Sequence, residues 1–341
     1  MKVVFDRRQL GHAPRRFLVR GEWRPCPEMP VRAEMLLEAA RGAGHEIVAP
    51  EEHDPSVWEA VHARDYLQFL ETAHARWREL PNAAPEVVPN VHPVRRSGGY
   101  PASVVGQAGW HMADTACPLT AESWPAIRAS ANTAAHAAEL VMTGERVVYA
   151  LCRPPGHHAY SDMAGGFCYL NNAAIAAQHL RRAAARLAVV DVDLHHGNGT
   201  QDIFYERADV LTVSIHADPG SFYPFFWGYA EERGSGPGEG FNLNLPLPIG
   251  SGDGAFLEAL ERGLSAVREF GAEALVVALG LDAYEGDPLA GLNVTTAGFA
   301  AIARRIAALR LPTVLVQEGG YPNDALGTNL VSFLGAFEEA R

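Results

Sequence analysis

Residues Leu187–Gly199 read L-A-V-V-D-V-D-L-H-H-G-N-G, an apolar run that passes directly into carboxylates, imidazoles and glycines. The apolar run predicts a strand over Leu187–Val192, because a strand covered on both faces is continuously apolar. Ligands of open parallel sheets bind outside the carboxyl ends of the strands. The stretch therefore predicts a buried parallel strand with a polar site at its end.

Apolar runs of the same kind recur along the chain and alternate with segments of helical period. This α/β alternation predicts one parallel, doubly wound sheet with helices on both faces. A length of 341 residues is compatible with a single domain, and we predict one domain over residues 1–341. The other predicted strands are Lys2–Phe5, Glu46–Ala49, Val147–Leu151, Val210–Ile215, Leu275–Leu281 and Thr313–Val316. The predicted helices are Arg32–Ala43, Asp65–Trp77, Ile127–Val141, Asn171–Arg186, Phe256–Phe270, Thr296–Leu309 and Ala325–Phe337.

One segment, residues 80–101, breaks this alternation. It contains five prolines and the pair Gly98-Gly99, and it has neither helical nor strand periodicity. A loop of this length in a compact domain is usually functional or disordered. A linker between domains is the alternative, but the chain before it is too short for a separate α/β domain. We interpret the segment as a surface insertion that caps a site or meets a second subunit.

The charge balance limits the classes of partner. With 28 basic and 40 acidic residues, the formal net charge is −12, which disfavours nucleic acid and mildly favours a cationic ligand. No apolar run approaches a membrane span of about 18 residues, and the first residues turn polar too soon for a secretory signal. We therefore expect a cytoplasmic protein that binds neither nucleic acid nor a membrane. The four cysteines show no C-x-x-C spacing and are expected to be buried free thiols.

The run Asp-x-Asp-x-His at the end of the quoted strand predicts a metal site. Side chains two residues apart on a strand point to the same face, so Asp191, Asp193 and His195 are expected on one face. Two carboxylates and one imidazole, without thiolates, are typical of a catalytic metal with open coordination positions. Asp282 follows another predicted strand and can supply a further ligand. The alternative is that these residues cap the helices that follow the strands.

Two further strand ends carry residues suited to proton transfer. His157 and His158 follow two prolines and a glycine, and a histidine beside a metal is a common general acid or base. Tyr321 follows Gly319-Gly320, and a phenol can stabilise an oxyanion. Taken alone, each has an ordinary explanation, namely a buried core histidine and a tyrosine after a glycine turn. His196 is expected to face away from the metal.

Four motifs lie at or near these strand ends, namely R-P-P-G-H-H (Arg153–His158), G-G-F-C-Y-L-N-N (Gly165–Asn172), D-V-D-L-H-H-G-N-G (Asp191–Gly199) and E-G-G-Y (Glu318–Tyr321). With them the chain resembles the histone deacetylase/acetylpolyamine amidohydrolase family from about Arg32 onward. The family implies the arginase-like α/β fold with a mostly eight-stranded parallel sheet. The proline-containing insertion and the residues after Asn198 look closest to the bacterial acetylpolyamine amidohydrolases.

The resemblance implies roles for the residues of the predicted site. Zinc would polarise an acetamide carbonyl, and the attacking water would lose its proton to His158 as general base. The phenol of Tyr321 would stabilise the oxyanion, and a histidine would protonate the leaving amine. Many relatives have aspartate where this chain has Asn198. The implied zinc ligands are Asp193, His195 and Asp282. The implied catalytic residues are His157, oriented by Asp191, His158, oriented by Asn198, and Tyr321.

The same resemblance implies a structural potassium ion and a narrow tunnel for a methylene chain. The rings at the tunnel have core packing as their alternative. Asp114, near the insertion, is a candidate to attract a distal ammonium, with a helix cap or a solvated charge as the alternatives. The implied potassium ligands are oxygens of Asp191, Asp193, His195, Ser214 and Ile215. The implied substrate-binding residues are Gly166, Phe167, Tyr223 and Asp114.

The favoured function is zinc-dependent removal of the acetyl group from acetylpolyamines such as acetylputrescine, acetylspermidine and acetylcadaverine. The insertion is expected to form a homodimer that narrows the site. The main alternative is a bacterial acetyl-lysine deacetylase. A binuclear-metal ureohydrolase would need a second Asp-x-Asp pair, yet Tyr284 stands two residues after Asp282. A non-catalytic acyl-amine binder usually loses a ligand, a proton-transfer group or the phenol, and all are present here.

Overall fold

A computed structural model describes residues 1–96 and 98–341, and in them eight strands form one parallel sheet. The strands in chain order are β1 (Lys2–Val4), β2 (Arg16–Val19), β3 (Glu22–Pro25), β4 (Glu46–Val48), β5 (Val147–Ala150), β6 (Leu187–Asp191), β7 (Val210–Ala217), β8 (Asn242–Leu247), β9 (Ala274–Leu279) and β10 (Thr313–Gln317). The sheet has the order β4-β1-β5-β10-β9-β6-β7-β8, and β2 and β3 form a separate antiparallel hairpin. The predicted class of one parallel sheet with helices on both faces is confirmed.

Helices connect the strands and cover the sheet. The α-helices are α1 (Pro30–Gly42), α2 (Ser56–Glu59), α3 (Arg64–Arg78), α4 (Val104–His111), α5 (Ser123–Met142), α6 (Asn172–Leu180), α7 (Asn198–Phe204), α8 (Asp253–Phe270), α9 (Thr296–Ala307) and α10 (Leu326–Glu339). All seven predicted helices are present, but the prediction for α6 is too long. This helix ends at Leu180 because the following residues form turns that lead into β6. The alternation does not predict α2, α4 or α7, which have only four, eight and seven residues.

The two faces of the sheet bury separate apolar cores. Val147 and Tyr149 of β5 lie in one core, whereas Val148 and Ala150 lie in the other. Helices α1, α8, α9 and α10 supply the first core, and α3 to α6 supply the second. Because successive side chains of a strand point to opposite faces, a strand between two such cores must be apolar throughout. This explains why the predicted strands appear in the sequence as continuous apolar runs.

The eighth strand of the sheet and the hairpin are not predicted by apolar runs. β8 follows the glycine-rich residues Gly234–Gly240 and alternates asparagine with leucine. The buried amides of Asn242 and Asn244 both donate to Gln201 Oε1, at 2.9 and 2.8 Å. The hairpin is largely exposed, so burial imposes no apolar periodicity on its sequence.

Two expectations from composition can be compared with this fold. All four cysteines are buried and free, as predicted. Among the residues that the structure describes, no helix is both long enough and apolar enough to cross a membrane.

The predicted insertion, residues 80–101, packs along α4; Ser97 lies outside the described residues. Val87 forms an antiparallel bridge with Leu119, and the Tyr100 hydroxyl lies 2.8 Å from Nε2 of His111. A Cβ on Gly109 of α4 would overlap the carbonyl oxygen of Val91, so the backbone of the insertion approaches the helix closely only because this residue is glycine. We refer to residues 80–101 as the insertion loop.

Candidate active site

The carboxyl ends of four neighbouring strands deliver the predicted polar residues to one edge of the sheet. β5, β10, β9 and β6 are consecutive in the sheet. β5 leads to the tandem histidines and β10 leads to Tyr321. β9 leads to Asp282, and β6 leads to the Asp-x-Asp-x-His run. The topology therefore brings together residues that are distributed along the sequence from His157 to Tyr321.

Asp193, His195 and Asp282 form a buried cluster whose ligand atoms all lie within 4.8 Å of one another. Nδ1 of His195 lies 3.2 Å from Asp193 Oδ1 and 3.1 Å from Asp282 Oδ2. The remaining carboxylate oxygens are held by main-chain donors, since Gly319 N donates to Asp193 Oδ2 at 2.7 Å and Leu194 N donates to Asp282 Oδ1 at 3.0 Å. The three side chains are thus fixed before any ion binds.

The prediction that alternation along a strand places Asp193 and His195 on one face is wrong. Strand β6 ends at Asp191, before either of these residues. Instead the chain bends, and each carboxylate accepts from a main-chain N–H two residues later. Asp193 N donates to Asp191 Oδ1 at 3.0 Å, and His195 N donates to Asp193 Oδ1 at 2.8 Å. Val192 and Leu194 point into the apolar core, as predicted.

The cluster fits a divalent cation. Its donors are two carboxylates and one imidazole, a set typical of a catalytic metal with open positions. A Cβ on Gly319 would overlap Asp282 Oδ2 and lie 2.6 Å from Asp193 Oδ2, so glycine leaves room where the carboxylates converge. Burial alone would lower the pKa of His195, but its hydrogen bonds to the two carboxylates raise it to about 9. His195 therefore holds a proton between the two buried carboxylates, and a metal ion could replace that proton.

A second group of possible ligands lies beside the first and consists of His157, Cys168 and Glu318. Burial raises the pKa of the Cys168 thiol well above its ordinary value, and its Sγ donates to Gly166 O at 3.5 Å. The protonated thiol is a poor metal ligand. Glu318 Oε2 accepts from the main-chain N–H groups of Gly156 and His157 at 2.6 and 3.0 Å. This group therefore holds the histidine loop in place, a role of Glu318 that sequence reasoning misses although the residue begins the E-G-G-Y motif.

His157 and His158 have their ring centroids 4.1 Å apart but have opposite electrostatic surroundings. Nδ1 of His157 donates to Asp191 Oδ2 at 2.9 Å. Burial disfavours its charged form, but the carboxylates of Asp193 and Asp191 raise the pKa of His157 well above the ordinary value. Burial, together with the charges of His157 and His195, lowers the pKa of His158 well below it. The surroundings therefore favour the cationic form of His157 and the neutral form of His158.

Asn198 selects the tautomer of His158. Its Nδ2 donates to the Tyr160 hydroxyl at 2.9 Å, which turns Oδ1 toward Nδ1 of His158 at 2.6 Å. Since an amide oxygen only accepts, Nδ1 of His158 carries the proton and Nε2 keeps its lone pair. This geometry agrees with the predicted orientation of His158 by Asn198 and makes Nε2 the basic atom.

Tyr321 is 3% exposed and lines the same cavity as the histidines. Its main-chain N–H donates to Asp287 Oδ2 at 2.9 Å, directly after Gly320, whose φ of +110° favours glycine. Burial raises the pKa of Tyr321 well above the ordinary value, so the phenol keeps its proton and can donate a hydrogen bond.

The cavity above these residues has a volume of about 760 Å³ and aromatic walls. The ring of Tyr223 stands perpendicular to that of His158 at a centroid distance of 5.0 Å, and Phe167 lies on the side of Tyr321. Two further rings are not predicted from the sequence. Phe222 stacks on His195 at 5.3 Å, and Phe17 of the hairpin packs on Phe167 at 5.4 Å.

Asp114 is a half-buried residue in the wall of this cavity. Its Oδ2 accepts from the Tyr223 hydroxyl at 2.8 Å and from Gly166 N at 3.1 Å, and its Oδ1 accepts from Ala116 N at 2.8 Å. These hydrogen bonds do not cap a helix, and they leave the half-buried carboxylate partly exposed to solvent. The carboxylate joins two walls of the cavity.

The residues predicted for potassium lie beside the candidate metal cluster. Asp191 of β6 is paired in register with Ser214 of β7, and Ile215 follows. The hydroxyl of Ser214 lies 2.8 Å from Nδ1 of His216. His196 lies in the same region, where it packs on His216 at 4.6 Å and does not join the cluster of Asp193.

Comparison with known proteins gives consistent results. Residues 26–337 match the histone deacetylase domain family. The chain is 47% identical to an acetylpolyamine amidohydrolase of Burkholderia pseudomallei, with 100% of both chains covered. It is 43% identical to acetylpolyamine amidohydrolase 1 of Pseudomonas aeruginosa, over 95% of this chain and 94% of the other. A crystal structure of the acetylpolyamine aminohydrolase from B. pseudomallei superposes with a TM-score of 0.98 at 47% identity, covering 100% of this chain and 99% of that one.

Proposed function

The chain belongs to the histone deacetylase family, and we propose that it is a zinc-dependent deacetylase of N-acetylated polyamines. One observation carries the proposal. A cluster of metal-ligand type, a neutral histidine and a protonated phenol meet at one cavity with aromatic walls. The full-length similarity to acetylpolyamine amidohydrolases supports the substrate class.

The protein residues divide the chemistry between them. A zinc ion held by Asp193, His195 and Asp282 would polarise the acetamide carbonyl and acidify the attacking water. Nε2 of His158 accepts the proton of that water, because its Nδ1 proton is committed to Asn198.

Two other groups complete the reaction. The Tyr321 phenol donates a hydrogen bond to the carbonyl oxygen as negative charge develops on it. His157, whose Nδ1 donates to Asp191 and whose pKa that carboxylate helps to raise, lines the same cavity and would stabilise that charge. The protonated His158 then returns its proton to the nitrogen of the leaving amine, which departs with the C–N bond broken and acetate left behind.

The cavity favours a slender cationic substrate. Phe167 and Tyr223 present ring faces to a methylene chain, and Asp114 holds Tyr223 in place while adding a negative charge to the wall. The net charge of −12 attracts a polyamine from a distance and repels nucleic acid.

We extend the proposal to the remaining expectations. The pairing of Asp191 with Ser214 supports a structural potassium ion among the predicted oxygen ligands. The aromatic residues Phe226 and Trp227 at the cavity mouth are 80% and 45% exposed, which supports a homodimer that covers them. A cytoplasmic location fits the four free cysteines, because disulfides are rare in that compartment.

The deciding experiment compares kcat/KM of the zinc-loaded protein for acetylputrescine, acetylspermidine and an acetyl-lysine peptide. We expect a strong preference for the two polyamines. Equal or better use of the peptide would reassign the chain to acetyl-lysine deacetylation, and absence of turnover with zinc bound would leave only a binding role.

A further inference from the structure

An ion pair connects the insertion loop to the segment that follows the tandem histidines. Arg96 donates from Nη1 and Nη2 to Oδ1 and Oδ2 of Asp162, at 2.9 and 2.6 Å. Two parallel hydrogen bonds of this kind fix the orientation of both side chains. The guanidinium also lies over the ring of Trp110, 5.0 Å from its centroid. Arg96 is therefore held by a carboxylate and an aromatic ring of two different segments.

Asp162 is restrained at its main chain as well. Nδ1 of His111 donates to the carbonyl oxygen of Asp162 at 2.8 Å, and the hydroxyl of Tyr100 lies 2.8 Å from Nε2 of the same histidine. The insertion loop thus reaches Asp162 in two ways. Arg96 binds the Asp162 side chain directly, and Tyr100 contacts His111, which in turn binds the Asp162 carbonyl oxygen.

Asp162 lies in the segment that connects the tandem histidines to the cavity wall. It lies four residues after His158 and four before Gly166, which forms part of the cavity wall. His92, Pro93 and Arg96 of the insertion loop line the mouth of the same cavity, together with Trp110. Any movement of the insertion loop away from Asp162 would widen the mouth next to the catalytic histidine.

We propose that the Arg96–Asp162 ion pair holds the insertion loop over the mouth and makes this residue pair a determinant of substrate selectivity. The inference rests on the proposed deacetylase function. A free acetylpolyamine enters the narrow mouth as a single methylene chain. An acetyl-lysine within a peptide brings main chain on both sides, which requires the space that the insertion loop occupies. Both residues of the pair belong to the same chain.

The test uses the full-length, zinc-loaded protein and the ratio of kcat/KM for acetylputrescine to kcat/KM for an acetyl-lysine peptide. In Arg96→Ala we expect this ratio to fall about five- to tenfold, mainly through faster turnover of the peptide, as fits the loss of a bidentate pair and a stacked ring. Arg95→Ala is the matched control, because Arg95 is the exposed neighbour in the same loop, and its ratio should equal that of the wild type.

A charge-reversed variant distinguishes the ion pair from a general loss of packing. The double substitution Arg96→Asp with Asp162→Arg restores opposite charges and should recover most of the wild-type ratio. The proposal is overturned if Arg96→Ala keeps the ratio of Arg95→Ala, if both substrates lose activity equally, or if the reversed pair recovers nothing. A wild-type preference for the peptide would refute the polyamine assignment, whereas the difference between the Arg96 and Arg95 variants would still decide this inference.

Discussion

Replacing Asn198 by aspartate puts a negative charge directly beside the proposed catalytic base, His158. The new carboxylate would lie where Asn198 Oδ1 now lies 2.6 Å from Nδ1 of His158. Two unit charges about 4 Å apart interact by about 4 kcal/mol at an effective dielectric constant of about 20, which corresponds to about three pKa units. The cost of burying the carboxylate opposes this interaction, so we expect the pKa of His158 to rise by about one to two units.

The sign of the effect on activity follows from the role of His158. A general base must be neutral, so kcat/KM falls as the pH drops through the pKa of this histidine. In the wild-type protein the surroundings lower that pKa well below its ordinary value, which places the fall at acidic pH. In Asn198→Asp the same fall should occur at a pH about one to two units higher, with a loss of activity near neutrality.

The assay is kcat/KM for acetylputrescine between pH 5 and 9, followed as amine release by the zinc-loaded protein, with zinc content and thermal stability measured in parallel. Asn198→Ala is the control, because it removes the amide without adding charge. It should lower kcat through loss of the preferred tautomer, and the acidic fall should move to lower pH, opposite to Asn198→Asp, because the hydrogen bond from Asn198 raises the pKa of His158. An unchanged pH profile in Asn198→Asp, with zinc retained, would show that Asn198 does not face His158 during turnover.

Three other perturbations separate the roles of neighbouring residues. Asp193→Ala should abolish both zinc retention and turnover. Tyr321→Phe should retain zinc but lower kcat about 100- to 1,000-fold, as expected for the loss of one oxyanion donor. Full activity of Tyr321→Phe would show that the phenol does not stabilise the oxyanion. Asp114→Asn removes a negative charge from the cavity wall and weakens the acceptor shared by two walls, so it should raise KM for acetylputrescine more than for a neutral N-alkylacetamide; an equal rise for both substrates would show that Asp114 acts only by holding the walls together. Gly109→Ala should lower the free energy of unfolding in urea by about 1–3 kcal/mol through overpacking, with Gly99→Ala as a control in open space, and equal stability of the two variants would contradict the close approach.

Much of the fold can be predicted because burial leaves a local record in the sequence. A strand such as Leu187–Asp191 has cores on both sides, so each of its residues is apolar until the strand ends. β8 is not predicted in this way, because two of its alternate residues are asparagines that hydrogen-bond to Gln201. The β2–β3 hairpin is not predicted either, because an exposed hairpin needs no apolar periodicity. Its residue Phe17 nevertheless packs on Phe167 in the cavity wall.

The strand ends and the chemical groups that follow them can be predicted from the sequence alone. Motif spacing predicts the candidate metal ligands, the tandem histidines and Tyr321, since each motif is a few residues long and its chemistry is local. How these groups act on one another depends on the tertiary structure. The opposite pKa shifts of His157 and His158 arise from distances across strands, and the contact of Arg96 with Asp162 joins residues 66 positions apart. Such contacts depend on the packing of segments that are remote in the chain, and no local pattern records them.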